Sequence, residues 1–352
     1  MSGVAAPATN AIGETRWEAN LGDHVIRLAW SPSGDSVAAA CVEGRIHVLS
    51  ADSTQRTRSL AGHEHGAQCL SWSHDGRFLA TGGQDGRVKL WDGASGELLH
   101  SMDAGAAWVE QVAFAPAAPL LVSAAGRHLK LWNLQGDCVR EYPAHPSTIS
   151  DVQWQPGTLF FTSACYGQLA TFNAGSAQPV KSFGWKGSIL AVAWSPDANY
   201  VATGNQDASV HFWYRKSGKD LEMSGYGAKV RELSWDAGSR YLATGGSANI
   251  TIWDCGGKGP AGTRPIELRK HDALVSALEY QHKGELLASG CGEGRVCVWR
   301  PAGHSAKQST KGASPLQTWD EGAGITQVRW APNDKALAIS TASGLIRLLG
   351  AI

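Results

Sequence analysis

The sequence predicts an all-β chain closed into a ring of eight four-stranded units. Three observations carry this. One segment recurs eight times, the copies are spaced by about 42 residues, and the first copy has a spare strand where the last copy lacks one. A fixed repeat of this length sets the architecture first, because each copy must bury its apolar face against the next.

The clearest copy is GHEHGAQCLSWSHDGRFLATGGQDGRVKLWD, Gly62 to Asp92. Its sisters end in related words: RIHVLS, HLKLWN, QLATFN, SVHFWY, NITIWD, RVCVWR and LIRLLG. Each unit carries an aromatic anchor at the end of its first strand: Trp30, Trp72, Phe114, Trp154, Trp194, Trp235, Tyr280 and Trp330. The gaps are 42, 42, 40, 40, 41, 45 and 50 residues. The last two are lengthened by Cys255–Arg264 and Pro301–Pro315, whose Gly, Pro, Ser and Lys content is that of loops.

Alternation with period two marks the strands inside a unit. Strand a is Ala67–Trp72 and strand b is Phe78–Gly82. Asp85-Gly86 supplies a tight hairpin turn, since both residues tolerate positive φ. Strand c is Val88–Trp91 and strand d is Glu97–Ser101. The last unit holds only strands a, b and c between Ile325 and Leu349. Glu14–Leu21 is the spare strand, and pairing it with Gly344–Leu349 removes an open edge. Residues 14 to 349 number 336, eight units of 42, whereas seven units leave one end of the chain unplaced. Residues 1–13 are expected to be a disordered tail, and 14–352 a single ring domain.

Composition narrows the function classes. Lys plus Arg equals Asp plus Glu at 31 each, so no global field draws in nucleic acid or an anionic membrane. No apolar run is long enough to span a bilayer, and no signal peptide is visible at the N-terminus. Seven cysteines, unpaired in spacing, read as free thiols of a cytoplasmic protein. No nucleic acid, membrane or cofactor is expected, and a monomer is.

Gly62-His63, Leu79–Gly82, Asp85 and Trp91-Asp92 resemble the WD40 family, and the resemblance covers nearly the whole chain. It implies an eight-bladed β-propeller with four antiparallel strands per blade. It also implies a structural tetrad of His63, Thr81, Asp85 and Trp91. The Trp91 indole would donate to the Thr81 hydroxyl, that hydroxyl to His63, and His63 to Asp85, leaving no buried orphan. This set looks like a Ser-His-Asp triad in its cast. A hydroxyl committed to an indole inside a sheet, with no oxyanion donors beside it, argues for the structural role. Other copies lose members. The seventh keeps His271, Ser289 and Trp299 with Glu293 for the Asp, the fifth has Trp185 for the His, and the fourth keeps His145 and Ser163.

No catalytic or cofactor motif stands out, so no enzyme is expected. WD40 propellers use the face of d–a loops and b–c turns to hold partners. Here that face collects His24, Ile26, Gln68, Gln84, Trp108, Glu110, Tyr166, Leu190, Gln206, Lys229 and Arg231. Partner contacts are expected from Trp108, Glu110, Tyr166, Trp185, Gln84, Gln206, Lys229 and Arg231. Aromatic and Arg side chains are what hot spots are made of, and alternation points Trp108 away from the core. Trp185 has a second reading, as a plug for the missing His. Cys41, Cys165 and Cys291 share one blade position and, with His24 and His65, are the candidates for a soft-metal site. The leading expectation is a non-enzymatic scaffold for protein or peptide partners. The alternatives are a metal-handling accessory protein and a propeller enzyme with its site in the central channel.

Overall fold

A computed structural model describes residues 13–105, 107–257, 259–301 and 314–350. The expected N-terminal tail, and His304, Lys307 and Lys311 of the second long loop, lie outside the described residues. Strands dominate, and the one helical turn among the described residues is the 3-10 turn Thr54–Arg56, capped by the Ser53 side chain.

The chain closes where the spare strand predicts. Thr15–Asn20 pairs antiparallel with Leu345–Gly350, from Thr15 opposite Leu349 to Asn20 opposite Leu345. Trp17 is buried there, and its indole donates to the Ala51 carbonyl at 3.1 Å. Glu18 pairs with Arg347 at 2.9 Å. The innermost strands touch in sequence order around the ring, and Ile325–Trp330 returns to Val25–Trp30.

The expectation of eight blades is corrected to seven. The described strands form seven hydrogen-bonded sheets, six of four strands and one of six. The error lies in the middle of the chain, not at an end. The fourth and fifth repeats share one sheet because Phe160–Asn173 and Pro179–Trp194 run as continuous strands. The first folds back on itself at Tyr166-Gly167, where Gly167 has φ +81° and no turn Asp is present. Thr162 and Thr171 hydroxyls meet across that fold at 3.0 Å. The second strand pairs on one edge with Gln168–Phe172 and on the other with Tyr200–Asn205. In the Gly62 copy this passage is a compact loop, pinned by His63 to the Asp85 turn at 2.9 Å. Trp185 stands where that His would, no such bond forms, and the backbone stays extended as far as Tyr166 opposite Ser188.

The anchors stitch neighbouring repeats together as well as filling the core. Five of the six Trp anchors donate their indole N–H to a backbone carbonyl one repeat back, among them Trp72 to Ala29 at 3.2 Å, Trp154 to Ala113 at 2.9 Å and Trp235 to Ala193 at 3.1 Å. Trp330 donates to Glu279 at 3.0 Å, and Trp30 crosses the closure to Arg329 at 2.9 Å. Each such bond contributes about 1 kcal/mol beyond the apolar burial. Trp194, at the merged sheet, has a buried indole nitrogen with no partner.

Candidate functional site

The polar residues of the Gly62 copy are bonded to one another. His63 Nε2 lies 2.7 Å from the Thr81 hydroxyl, and the Trp91 indole donates to that hydroxyl at 2.9 Å. His63 Nδ1 lies 2.9 Å from Asp85, whose carboxylate also accepts from the Arg87 and Glu64 backbone N–H groups. Burial lowers the His63 pKa, with the Asp85 charge working against it. The neutral imidazole therefore donates through Nδ1 and accepts at Nε2, which leaves no group of the four free for chemistry.

The other copies keep parts of this chain. His145 meets Ser163, and His271 meets Ser289, each at 2.7 Å, and Trp299 donates to Ser289 at 2.8 Å. Glu293 does not serve as the fourth member, because His271 Nδ1 is buried without a partner, as is His145 Nδ1. In the fifth copy Thr203 turns to Asn205 at 3.2 Å, and Asp207 accepts from Ser209 at 2.6 Å. The sixth copy uses a residue that sequence reasoning missed. The Trp253 indole donates to the Tyr226 hydroxyl at 2.8 Å, and that hydroxyl lies 2.9 Å from Thr244. The signal was the spacing: Tyr226 precedes Thr244 by 18 residues, as His63 precedes Thr81.

These buried imidazoles make stability depend on pH. Burial pushes His145 and His271 down to about 4, from about 6.5 in an unfolded chain. Between those values the unfolded chain binds more protons, so stability is full above about pH 6.5 and is lost as pH falls toward 4. The expected loss is about 2–3 kcal/mol per histidine. Urea denaturation at pH 7 and pH 4.5 measures it, and a His145→Gln, His271→Gln variant should flatten the dependence.

The d–a loops and b–c turns lie side by side on one face. The backbone N–H of Val42 donates to the His24 carbonyl, that of Gln84 to Gly66 and that of Gln206 to Ser188, each at 2.9 Å. Gly292 reaches the Leu274 carbonyl at 3.2 Å. Large apolar side chains stand exposed at these equivalent positions: Trp108 at 52%, Tyr166 at 57%, Leu274 at 54% and Val42 at 45%. Lys229, Arg231 and Gln206 are also exposed, and Gln84 and Glu110 are half-buried. Burial raises the Glu110 pKa. Trp108 and Tyr166 belong to consecutive repeats. Trp185 is drawn inward, its ring centroid 3.7 Å from that of His211.

The three cysteines of the shared position are buried and lie opposite Val25, Ile149 and Val275 in their sheets. Burial pushes the Cys41 thiol up to about 12 and raises Cys165. His24 and His65 are exposed on the loops. No group of three or more His, Cys, Asp or Glu among the described residues is placed to hold a metal ion.

The innermost strands carry charged groups that the sequence reading did not single out. Asp151 accepts from the Val152 and Val192 backbone at 2.8 Å each, tying the fourth repeat to the fifth, and burial pushes its carboxyl up to about 6. Arg329 pairs with Glu279 at 3.6 Å. Arg27 lies close enough to feel both Arg329 and Asp151, and burial is the main cause of its lowered pKa. These groups were missed because their sequence neighbours are uncharged and only ring closure brings them together.

Comparison with known proteins places this geometry. The family described as the IFT122 first beta-propeller matches residues 24–258, and the WD domain, G-beta repeat, matches 262–300. The chain is 26% identical to the WD repeat-containing protein slp1 of Schizosaccharomyces pombe, over 78% of this chain and 57% of that protein. It is 23% identical to cell division cycle 20.5, cofactor of APC complex, of Arabidopsis thaliana, over 86% of this chain and 70% of that one. Telomerase protein component 1 of Mus musculus matches at 26% over 64% of this chain but 9% of its own length. The chain thus spans about half or less of several relatives it matches. The crystal structure of the computationally designed Ika8 protein superposes with a TM-score of 0.78 at 21% identity, covering 94% of this chain and 97% of that one. That likeness concerns the fold. With a family match over residues 24–258 and the repeat geometry above, the chain belongs to the WD40 β-propeller family, on the model of the IFT122 first propeller.

Proposed function

We propose that this propeller is a non-enzymatic scaffold that holds a peptide segment of a protein partner on the face of d–a loops and b–c turns. The observation that carries the reading is the exposure of Trp108, Tyr166, Leu274 and Val42 at equivalent positions of that one face. Large exposed apolar groups on a single face mark interaction sites. Trp108 and Tyr166 are the anchors, Gln84, Gln206 and Glu110 supply hydrogen bonds at the rim, and Lys229 with Arg231 receive an acidic group of the partner. The relatives named as a WD repeat-containing protein and as a cofactor of the APC complex support a scaffold rather than an enzyme. Free cysteines at all seven positions support a reducing, cytoplasmic setting, with the chain acting as a monomer. No described helix is long and apolar enough to cross a membrane.

The test is comparative capture from native lysate. Trp108→Ala with Arg231→Ala is expected to lose the proteins that the wild type retains, while its melting curve is unchanged. Retention of the same proteins at the same yield would assign the binding to another surface.

A further inference from the structure

The seat of the seventh anchor differs from the others. Five of the six Trp anchors donate their indole N–H to a carbonyl one repeat back. The seventh repeat has Tyr280 instead, and the counterpart carbonyl, that of Ser234, receives no indole. Phe114, the other anchor that is not Trp, has no polar atom and packs into an apolar cluster with Leu121 and Trp132.

A cavity of about 240 Å³ opens beside Tyr280, between the sixth and seventh repeats. Gly284, Glu285 and Pro301 form one side of it. They correspond to Gly76, Arg77 and Gly93, which surround the Trp72 indole: a Cβ at Gly93 would stand 2.9 Å from the Trp72 ring. The cavity therefore lies where the Gly62 copy seats the Trp72 indole. Its far wall is Tyr241, Ile252 and Ile266, and Asp236 and Lys283 stand at its edge. Tyr280 lines this space with its ring buried, and its hydroxyl makes no hydrogen bond among the described residues.

We infer that this cavity is a binding site for a small indole-class heteroaromatic molecule. Its size exceeds the roughly 150 Å³ that accepts benzene in an apolar cavity, and so admits two fused rings. Tyr241, Tyr280, Ile252, Ile266 and Pro301 give a flat apolar ring its wall, and Asp236, Lys283 and Glu285 supply the polar remainder. The polar contact has a precedent within this chain: the Trp253 indole donates to the Tyr226 hydroxyl at 2.8 Å. An indole N–H on the Tyr280 oxygen repeats that contact. The site lies among a–b turns and is independent of the loop face proposed for the partner.

The test uses 5-fluoroindole and ligand-observed fluorine NMR on the intact protein. One saturable site is expected in the wild type. Tyr280→Trp supplies the missing ring from the chain itself and should abolish binding. Tyr280→Phe should weaken it at least fivefold, and 1-methylindole should compete poorly. Because Tyr280→Trp alters a buried seat, its fold is checked by circular dichroism, and Ile252→Phe fills the cavity from the opposite wall as a second variant. Absence of binding to wild type at millimolar ligand overturns the site, as does unchanged binding in both filled variants.

Discussion

Removing residues 1–20 is expected to unfold the ring at 37 °C. The deletion takes away Thr15–Asn20, so Leu345–Gly350 becomes an open edge and the core around Ile346 and Leu348 is uncovered. It also removes the buried Trp17, its bond to Ala51 and the Glu18–Arg347 pair. Truncating one buried Trp alone costs about 3–5 kcal/mol, and a whole domain is stable by only about 5–15. Trp17→Ala is the graded version and should lower the unfolding free energy read from urea denaturation by that smaller amount. Circular dichroism and gel filtration read both. A deletion variant that melts within two or three degrees of the full chain would mean that closure does not hold the ring.

Thr81→Val is expected to be a costly change in the Gly62 copy although it is nearly isosteric. The swap preserves shape but leaves the Trp91 indole and His63 Nε2 without the hydroxyl that both use. Thr81 is fully buried, so water does not replace it. Two orphaned groups at about 1–3 kcal/mol each give a loss of about 2–6 kcal/mol, read by chemical denaturation at pH 7. Thr81→Ser keeps the hydroxyl and should recover most of it. Equal losses from Val and Ser would assign the effect to the methyl group and not to the bond.

Much of this fold is written locally and so could be read. The anchors and period-two alternation place the strands, and the spare strand Glu14–Leu21 foretells the pairing with Leu345–Gly350. What escaped depends on which loop bonds form. Dividing 336 residues by 42 counts repeats, not sheets. The merger of the fourth and fifth repeats coincides with Trp185 in place of a His and with the absent turn Asp beside Tyr166-Gly167. Both departures are visible in the sequence, yet their effect on sheet boundaries appears only when the backbone is built. Tyr226 was missed because a phenol was not considered where other copies hold an imidazole, although it bonds in the same way. Asp151, Arg27 and Arg329 meet across the ring, which no local reading reaches. Among the face residues, Trp108 stands exposed as alternation implies and Tyr166 is exposed too, while Trp185 packs its ring on His211.

The central claim is a division of labour: the well-kept polar residues hold the ring, and the exposed departures on one face bind the partner. It is tested by measuring partner capture and melting temperature together for Trp108→Ala with Tyr166→Ala and, separately, for Thr81→Val. The account predicts that the first variant melts within about 2 °C of wild type, as exposed substitutions do, and captures nothing that the wild type captures. It predicts that the second melts several degrees lower and, below its transition, still captures the partner. Capture retained by the face variant, or lost by a folded Thr81→Val protein, would contradict it.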